Sequence, residues 1–92
     1  MKLYVMNRTS GYHVYMVRCS DGSYYTGYTN HLEERIKMHN AGYGAKCLRG
    51  KRPVVLVYAK AYRYYKNAVK AEAFLKSKTR RFKEDLVISH DM

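Results

Sequence analysis

One acid, Glu72, stands in a stretch of chain that is otherwise cationic. Thirteen of the eighteen Lys and Arg residues fall between Lys46 and Lys83, and Glu72 is the one carboxylate among them. Solvated helix faces usually mix both signs. A lone carboxylate in such a field suits a site that needs an oxygen ligand beside bound phosphates. A divalent cation on a nucleic-acid backbone fits that description, because hard cations take carboxylate oxygens. The same pattern also fits a helix carboxylate paired with Lys70 or Lys76, or simply solvated. Upstream lie other groups able to do chemistry. Tyr15 and Tyr25 sit in short β-like segments, and Arg35 and His39 stand four residues apart, so they stack on one helix face. Each has an ordinary reading as well: strand tyrosines pack, Arg35 could pair with Glu33 or Asp85, and His39 could be a satisfied helix histidine.

The elements that must position these groups follow from the patterning. Tyr12 to Arg18 alternates, with Val14 and Met16 on one side and His13, Tyr15 and Val17 on the other, which predicts a strand. Ser20-Asp21-Gly22-Ser23 marks a turn. Tyr24 to Thr29 should pair back as a hairpin, placing Tyr15 and Tyr25 on one face. Gly27 leaves a bare patch there and is read as structural. Asn30, with Glu33 three residues on, predicts a helix N-cap. The helix should run to Ala41 and stop at Gly42, with Leu32 and Ile36 as its apolar stripe. Gly42 to Arg52 reads as a basic loop. Val54 to Tyr58 is almost wholly apolar and is expected to be the central strand. A second helix is expected over Tyr65 to Lys78, and a third, capped by Thr79, to Ile88 with Phe82 and Leu86 inward. The fold class is α/β (α+β): a small three-stranded sheet flanked by helices, in the order β-β-α-β-α-α. Residues 1–11 read as a loose arm, 12–88 as one domain and 89–92 as a tail.

Composition narrows the function classes. Ninety-two residues suit a single domain, and a hydrophobic content of 47% argues against disorder. Eleven tyrosines and no tryptophan suit both core positions and a wet, polar site. A net charge of +11 attracts polyanions, nucleic acid first and anionic membrane surface second. Cys19 and Cys47 lack CxxC or zinc-ligand spacing and read as thiols of a reducing cytoplasm. The four histidines form no zinc pattern. The apolar stretch Leu3 to Met6 is too short for a signal peptide, and Val54 to Ala59 is too short to span a bilayer. Gly44 to Lys51 fails as a nucleotide-triphosphate loop: its first glycine would fall at Ala45, and Arg52 replaces the Ser/Thr. Lys46, Arg49, Lys51 and Arg52 of that loop are candidate phosphate contacts, or a solvated basic turn. Lys66, Lys70, Lys76, Lys78, Arg80, Arg81 and Lys83 are expected to track a nucleic-acid backbone, with little sequence preference.

Taken in order, His13-Val14-Tyr15, Tyr25-Thr26-Gly27, Leu32-x-x-Arg35-x-x-x-His39 and a later helical Glu72 resemble the GIY-YIG nuclease family. The resemblance spans Tyr12 to Lys83. The loop Gly44-Ala45-Lys46 with Arg49 to Pro53 is similar, more narrowly, to the small stand-alone bacterial members. The same motifs resemble the catalytic domain of GIY-YIG homing endonucleases and the N-terminal region of UvrC. His13, Val14 and Thr26 depart from the motif letters, whereas the reactive side chains remain. The resemblance implies a Mg²⁺- or Mn²⁺-dependent endonuclease acting on DNA, structure-selective or weakly sequence-specific, with a place in repair or recombination. RNA, a protein partner and a homodimer are left open; no membrane is implied and a cytoplasmic setting is expected.

On this resemblance Glu72 is the metal ligand, Arg35 clamps phosphate, and Tyr15 positions or deprotonates water. Tyr25 orients water or phosphate, and His39 orients Tyr15 or touches phosphate. Arg35 and the metal are expected to favour the Tyr15 phenolate. Two rivals share the charge pattern: a nucleic-acid-binding module of the same fold, and an interaction protein whose basic face meets an acidic partner.

Overall fold

The computed structural model describes residues 11–91, so most of the expected N-terminal arm lies outside the described residues. Strands β1 (Tyr12–Arg18) and β2 (Tyr24–Thr29) form the expected antiparallel hairpin. Its turn is set by Asp21, whose carboxylate accepts from the Ser23 amide at 3.0 Å and the Ser23 hydroxyl at 2.6 Å. Gly22 takes the left-handed φ of 87° that a side chain would resist. In this register Tyr15 faces Gly27 and Val17 faces Tyr25. Tyr15 and Tyr25 therefore share a face, as the alternation predicted.

The third strand, β3 (Val55–Tyr62), also pairs antiparallel with β1. The sheet order is β2-β1-β3, so β1 is central and the expectation that the Val54–Tyr58 run forms the middle strand is corrected. The run is apolar because Val54 and Leu56 feed the core on the Tyr15 face and Tyr58 the core on the Val14 face, while Val55 stays 58% exposed on this edge strand. Five consecutive residues of β1, His13 to Val17, are buried, which is the mark of the true centre.

On the Tyr15 face, Tyr15 and Val17 pack with Leu32, Leu48, Val54 and Ala59. On the opposite face, Val14 packs with Ala68 and Leu75, edged by Tyr12, Tyr28, Tyr58, Tyr62 and Leu86. Each fully buried aliphatic side chain contributes about 1.5–3 kcal/mol. Thr26, opposite Met16, is buried with its hydroxyl unpaired among the described residues, at a cost of about 1–3 kcal/mol.

Helix α1 (Leu32–Ala41) begins at His31 rather than Asn30, and no side chain caps it. The capping box fails because Thr29 is the residue that serves the entry: its hydroxyl accepts from the His31 amide at 3.1 Å. The exit is as read, with Gly42 at φ 92° and its amide returned to His39 O at 3.2 Å. Within the basic loop, Lys46–Lys51 winds into a 3-10 helix that buries Leu48.

Helix α2 (Tyr65–Lys76) stops two residues short of the expected end, at Ser77, whose hydroxyl donates to Phe74 O at 2.7 Å. Thr79 caps α3 (Arg80–Asp91) as expected, accepting from the Phe82 amide at 3.1 Å. That helix runs past Ile88, so residues 89–91 are helical rather than a tail. Leu86 packs inward, whereas Phe82 is 38% exposed, because the Val14 face is already closed by the side chains of α2.

Candidate active site

The site is built around the Tyr15 phenol. A Cβ on Gly27 would lie 2.7 Å from the Tyr15 hydroxyl and 3.2 Å from a Tyr25 ring carbon. Glycine here makes room for the phenol to lie across β2, the structural role expected of it. Tyr15, Tyr25 and His39 form a ring triangle, with centroids 6.4 Å apart for the tyrosines, 5.9 Å for Tyr15–His39 and 5.6 Å for Tyr25–His39.

His39 is buried at 2% exposure, and its two nitrogens have distinct duties. The Ala45 amide donates to Nδ1 at 3.2 Å. An amide can only donate, so Nδ1 carries no proton and the ring proton sits on Nε2. Nε2 lies 2.8 Å from the Tyr15 hydroxyl and therefore donates to it, leaving the Tyr15 proton free to point elsewhere. Burial, and then the Arg35 charge, lower the His39 pKa, which keeps the imidazole neutral and this arrangement intact.

Gly44 is what lets the loop come so close. A Cβ there would collide with His39 Nδ1 and fall 2.8 Å from Cε1. Gly44→Ala should therefore expel the imidazole and destabilise the fold by about 1–3 kcal/mol. NMR would show the His39 Nε2–H resonance lost together with a lowered melting temperature; an unchanged resonance would disprove the contact.

Arg35 comes from the same helix face, half-buried, and interacts with the Tyr15 hydroxyl. Among the described residues it has no carboxylate partner: Asp85 pairs with Arg81, and the other ion pairs join Lys51 to Asp21, Lys76 to Glu72 and Arg80 to Glu84. Two influences oppose each other at Tyr15, and Arg35 acts in the expected direction, toward the phenolate. Burial pushes the Tyr15 phenol well above its ordinary value, Tyr25 and Glu72 add to the rise, and Arg35 only opposes it. Burial likewise raises Tyr25, with Lys76 and Arg35 opposing.

Glu72 is found in its ion-paired reading, with Lys76 rather than Lys70 as the partner. Its carboxylate is 3.2 Å from Lys76 Nζ, one helical turn on, and its side chain is 15% exposed. Its charge is also felt at the hydroxyls of Tyr15, Tyr25 and Tyr28. The acid thus lies toward the hairpin, within the electrostatic reach of both site tyrosines. Among the described residues no group of three His, Cys, Asp or Glu could cage a metal. A single carboxylate does fit Mg²⁺, which keeps several waters and takes phosphate oxygens.

The candidate phosphate contacts divide. Lys46, Arg49 and Lys70 are exposed. Lys51 reaches Asp21 at 3.7 Å. Arg52 is a latch, donating to Arg49 O at 2.8 Å and Asn40 O at 3.3 Å. Arg80 pairs with Glu84 at 2.7 Å and Arg81 with Asp85 at 3.8 Å. Lys78 lies over Phe74.

Three contributors escaped the sequence reading. Asn40 clamps α1 to the start of β3, accepting from the Val54 amide at 2.6 Å and donating to Val54 O at 3.0 Å. Gly44 and the Ala45 amide seat His39. A polar residue at a helix end and a glycine in a loop carry no signal of these contacts.

The model of the GIY-YIG catalytic domain matches residues 11–85. This chain belongs to the GIY-YIG family. A UPF0213 protein of Bacillus cereus is 51% identical over 71 residues, covering 77% of this chain and 74% of that one. UPF0213 protein YazA of Bacillus subtilis is 43% identical over 76 residues, covering 83% and 77%. The solution structure of a UPF0213 protein from Bacillus halodurans superposes with a TM-score of 0.56 at 44% identity, over 84% of this chain and 82% of the other. A second solution structure, from E. faecalis, gives 0.60 at 36% identity, over 87% and 85%. These relatives are small GIY-YIG proteins, and membership supports a nuclease-type function acting on nucleic acid. No helix among the described residues is long and apolar enough to cross a membrane.

Proposed function

We propose that this GIY-YIG domain is a Mg²⁺- or Mn²⁺-dependent endonuclease of DNA that selects by structure more than by sequence. The observation that carries the reading is Arg35. A half-buried guanidinium with no carboxylate partner among the described residues, set against two phenols, is a ready clamp for an anion of phosphate geometry.

Each residue then has a task. Arg35 holds the non-bridging oxygens and stabilises charge that grows on them. His39 donates from Nε2 to the Tyr15 oxygen, so the Tyr15 O–H is aimed at water or phosphate. Tyr15 positions or deprotonates the attacking water, with burial favouring its neutral form and Arg35 opposing that. Tyr25 lines the opposite side. Glu72 holds the divalent cation, which when bound supplies Lewis acidity for the leaving oxygen. Lys46, Arg49 and Lys70, all exposed, follow the backbone by charge alone.

The test is cleavage of flap, junction, single-stranded and plain duplex DNA, with Mg²⁺ and with a chelator. The expected result is metal-dependent cutting concentrated on one or more of the non-duplex substrates. Salt-sensitive binding without cutting in either condition would replace the reading with that of a binding module.

A further inference from the structure

Two phenylalanines stand in solvent where α2 meets α3. Phe74 is 53% exposed and Phe82 38%. Their rings meet edge to face, with centroids 6.0 Å apart at 81°. Lys78 Nζ lies 4.5 Å from the Phe74 centroid and 5.5 Å from that of Phe82. Neither ring belongs to the core, which Val14, Ala68 and Leu75 already close on this side. An apolar pair left outside a closed core marks a contact surface.

The surroundings choose the partner. Lys70 and Phe74 stand four apart on one side of α2, and Lys78, just past the end of that helix, lies over both phenyl rings. Arg81 precedes Phe82 in the first turn of α3, and its pairing with Asp85 at 3.8 Å joins two exposed side chains, so it yields readily to another anion. Arg80 reaches back to Gly22 O at 3.0 Å and lies 5.0 Å from the Tyr24 ring, which Arg18 also approaches at 5.7 Å. The first residue of α3 is thereby tied to the hairpin that carries Tyr25. A second copy would bring like charges together, whereas a polyanion with flat apolar faces matches both features. Duplex DNA shows only base edges in its grooves. Stacking on an aromatic ring needs bases freed from pairing.

We propose that Phe74, Phe82 and Lys78 form a stacking platform for unpaired bases of a single-stranded or splayed nucleic-acid segment. The inference rests on the nucleic-acid reading above and names the kind of substrate for that site. Lys78 and Arg81 take the phosphates, and the two rings take successive bases. The rings are sequence-tolerant, since every base has a π-face.

The experiment uses the full chain under chelator, so that nothing is cut. Fluorescence anisotropy compares a labelled single-stranded oligonucleotide, an abasic strand of equal length and charge, and a duplex. Wild type should bind the base-bearing strand most tightly. The double variant Phe74→Ala/Phe82→Ala should lose about thirtyfold or more on that strand and nothing on the abasic one, while Phe74→Tyr/Phe82→Tyr should retain binding. Equal losses on both strands, no loss on either, tighter binding of duplex, or a change from dimer to monomer in sedimentation would overturn the proposal. Should the alanine pair fail to fold, Phe74→Leu/Phe82→Leu keeps the apolar volume without the π-face, and undiminished affinity there would overturn it equally. Base-dependent binding with no metal-dependent cutting would remove the nuclease reading alone. Metal-dependent cutting with ring-independent binding would remove this inference alone.

Discussion

Glu72→Gln should leave a folded protein that binds DNA at least as tightly as wild type and cuts it about a thousandfold more slowly. The expected loss follows from Lewis-acid stabilisation worth several kcal/mol at the leaving oxygen. Binding should persist because the acid is the one negative charge in the basic stretch. Removing it also releases the Lys76 ammonium, now 3.2 Å from the carboxylate, to face phosphate instead. Glutamine keeps the side-chain volume, so the packing of α2 on the sheet is spared. Single-turnover cleavage and anisotropy, measured on the same substrate with Mg²⁺ and Mn²⁺, separate the two effects. Wild-type cutting by the variant would remove the metal role from Glu72.

Arg35→Ala should slow cleavage about a hundred- to a thousandfold while weakening binding far less. The guanidinium's charge acts on Tyr15, Tyr25 and His39 alike. Its service is to charge that develops during reaction, which is why rate should suffer before affinity. Arg35→Lys should recover only part of the rate, because an ammonium cannot offer the planar fork. A variant that binds poorly but cuts normally once saturated would make Arg35 a docking contact.

Much of this arrangement was legible from residue order. Strict alternation from Tyr12 to Arg18 and the Asp21-Gly22 turn fix a hairpin, and a hairpin must bring Tyr15 and Tyr25 to one face. The spacing from Arg35 to His39 is helical, so those two had to point the same way. Less legible was everything set by long-range pairing. The Val54–Tyr58 run looks central from its composition, yet composition reports coverage of the two sheet faces and not neighbours within the sheet. Asn30 looks like a cap, but the chain turns one residue later and Thr29 fills the need. The pull of Arg35 on Tyr15 can be read from the sequence, whereas the burial that opposes it cannot. The seating of His39 by Gly44 and Ala45 depends on a loop path that no local pattern encodes.

That seating has a consequence for how damage spreads. The far end of α1 is fixed by directional bonds, His39 to Tyr15 and Ala45, and Asn40 to Val54. An oily interface can slip by fractions of an ångström and stay partly effective, but a chain of hydrogen bonds is either closed or open. Lesions at Tyr15, His39 or Gly44 therefore break the same object, and a second break adds little to the first. The pocket behaves as one thermodynamic unit, with its tolerance to change set by its weakest link and not by the sum of its parts.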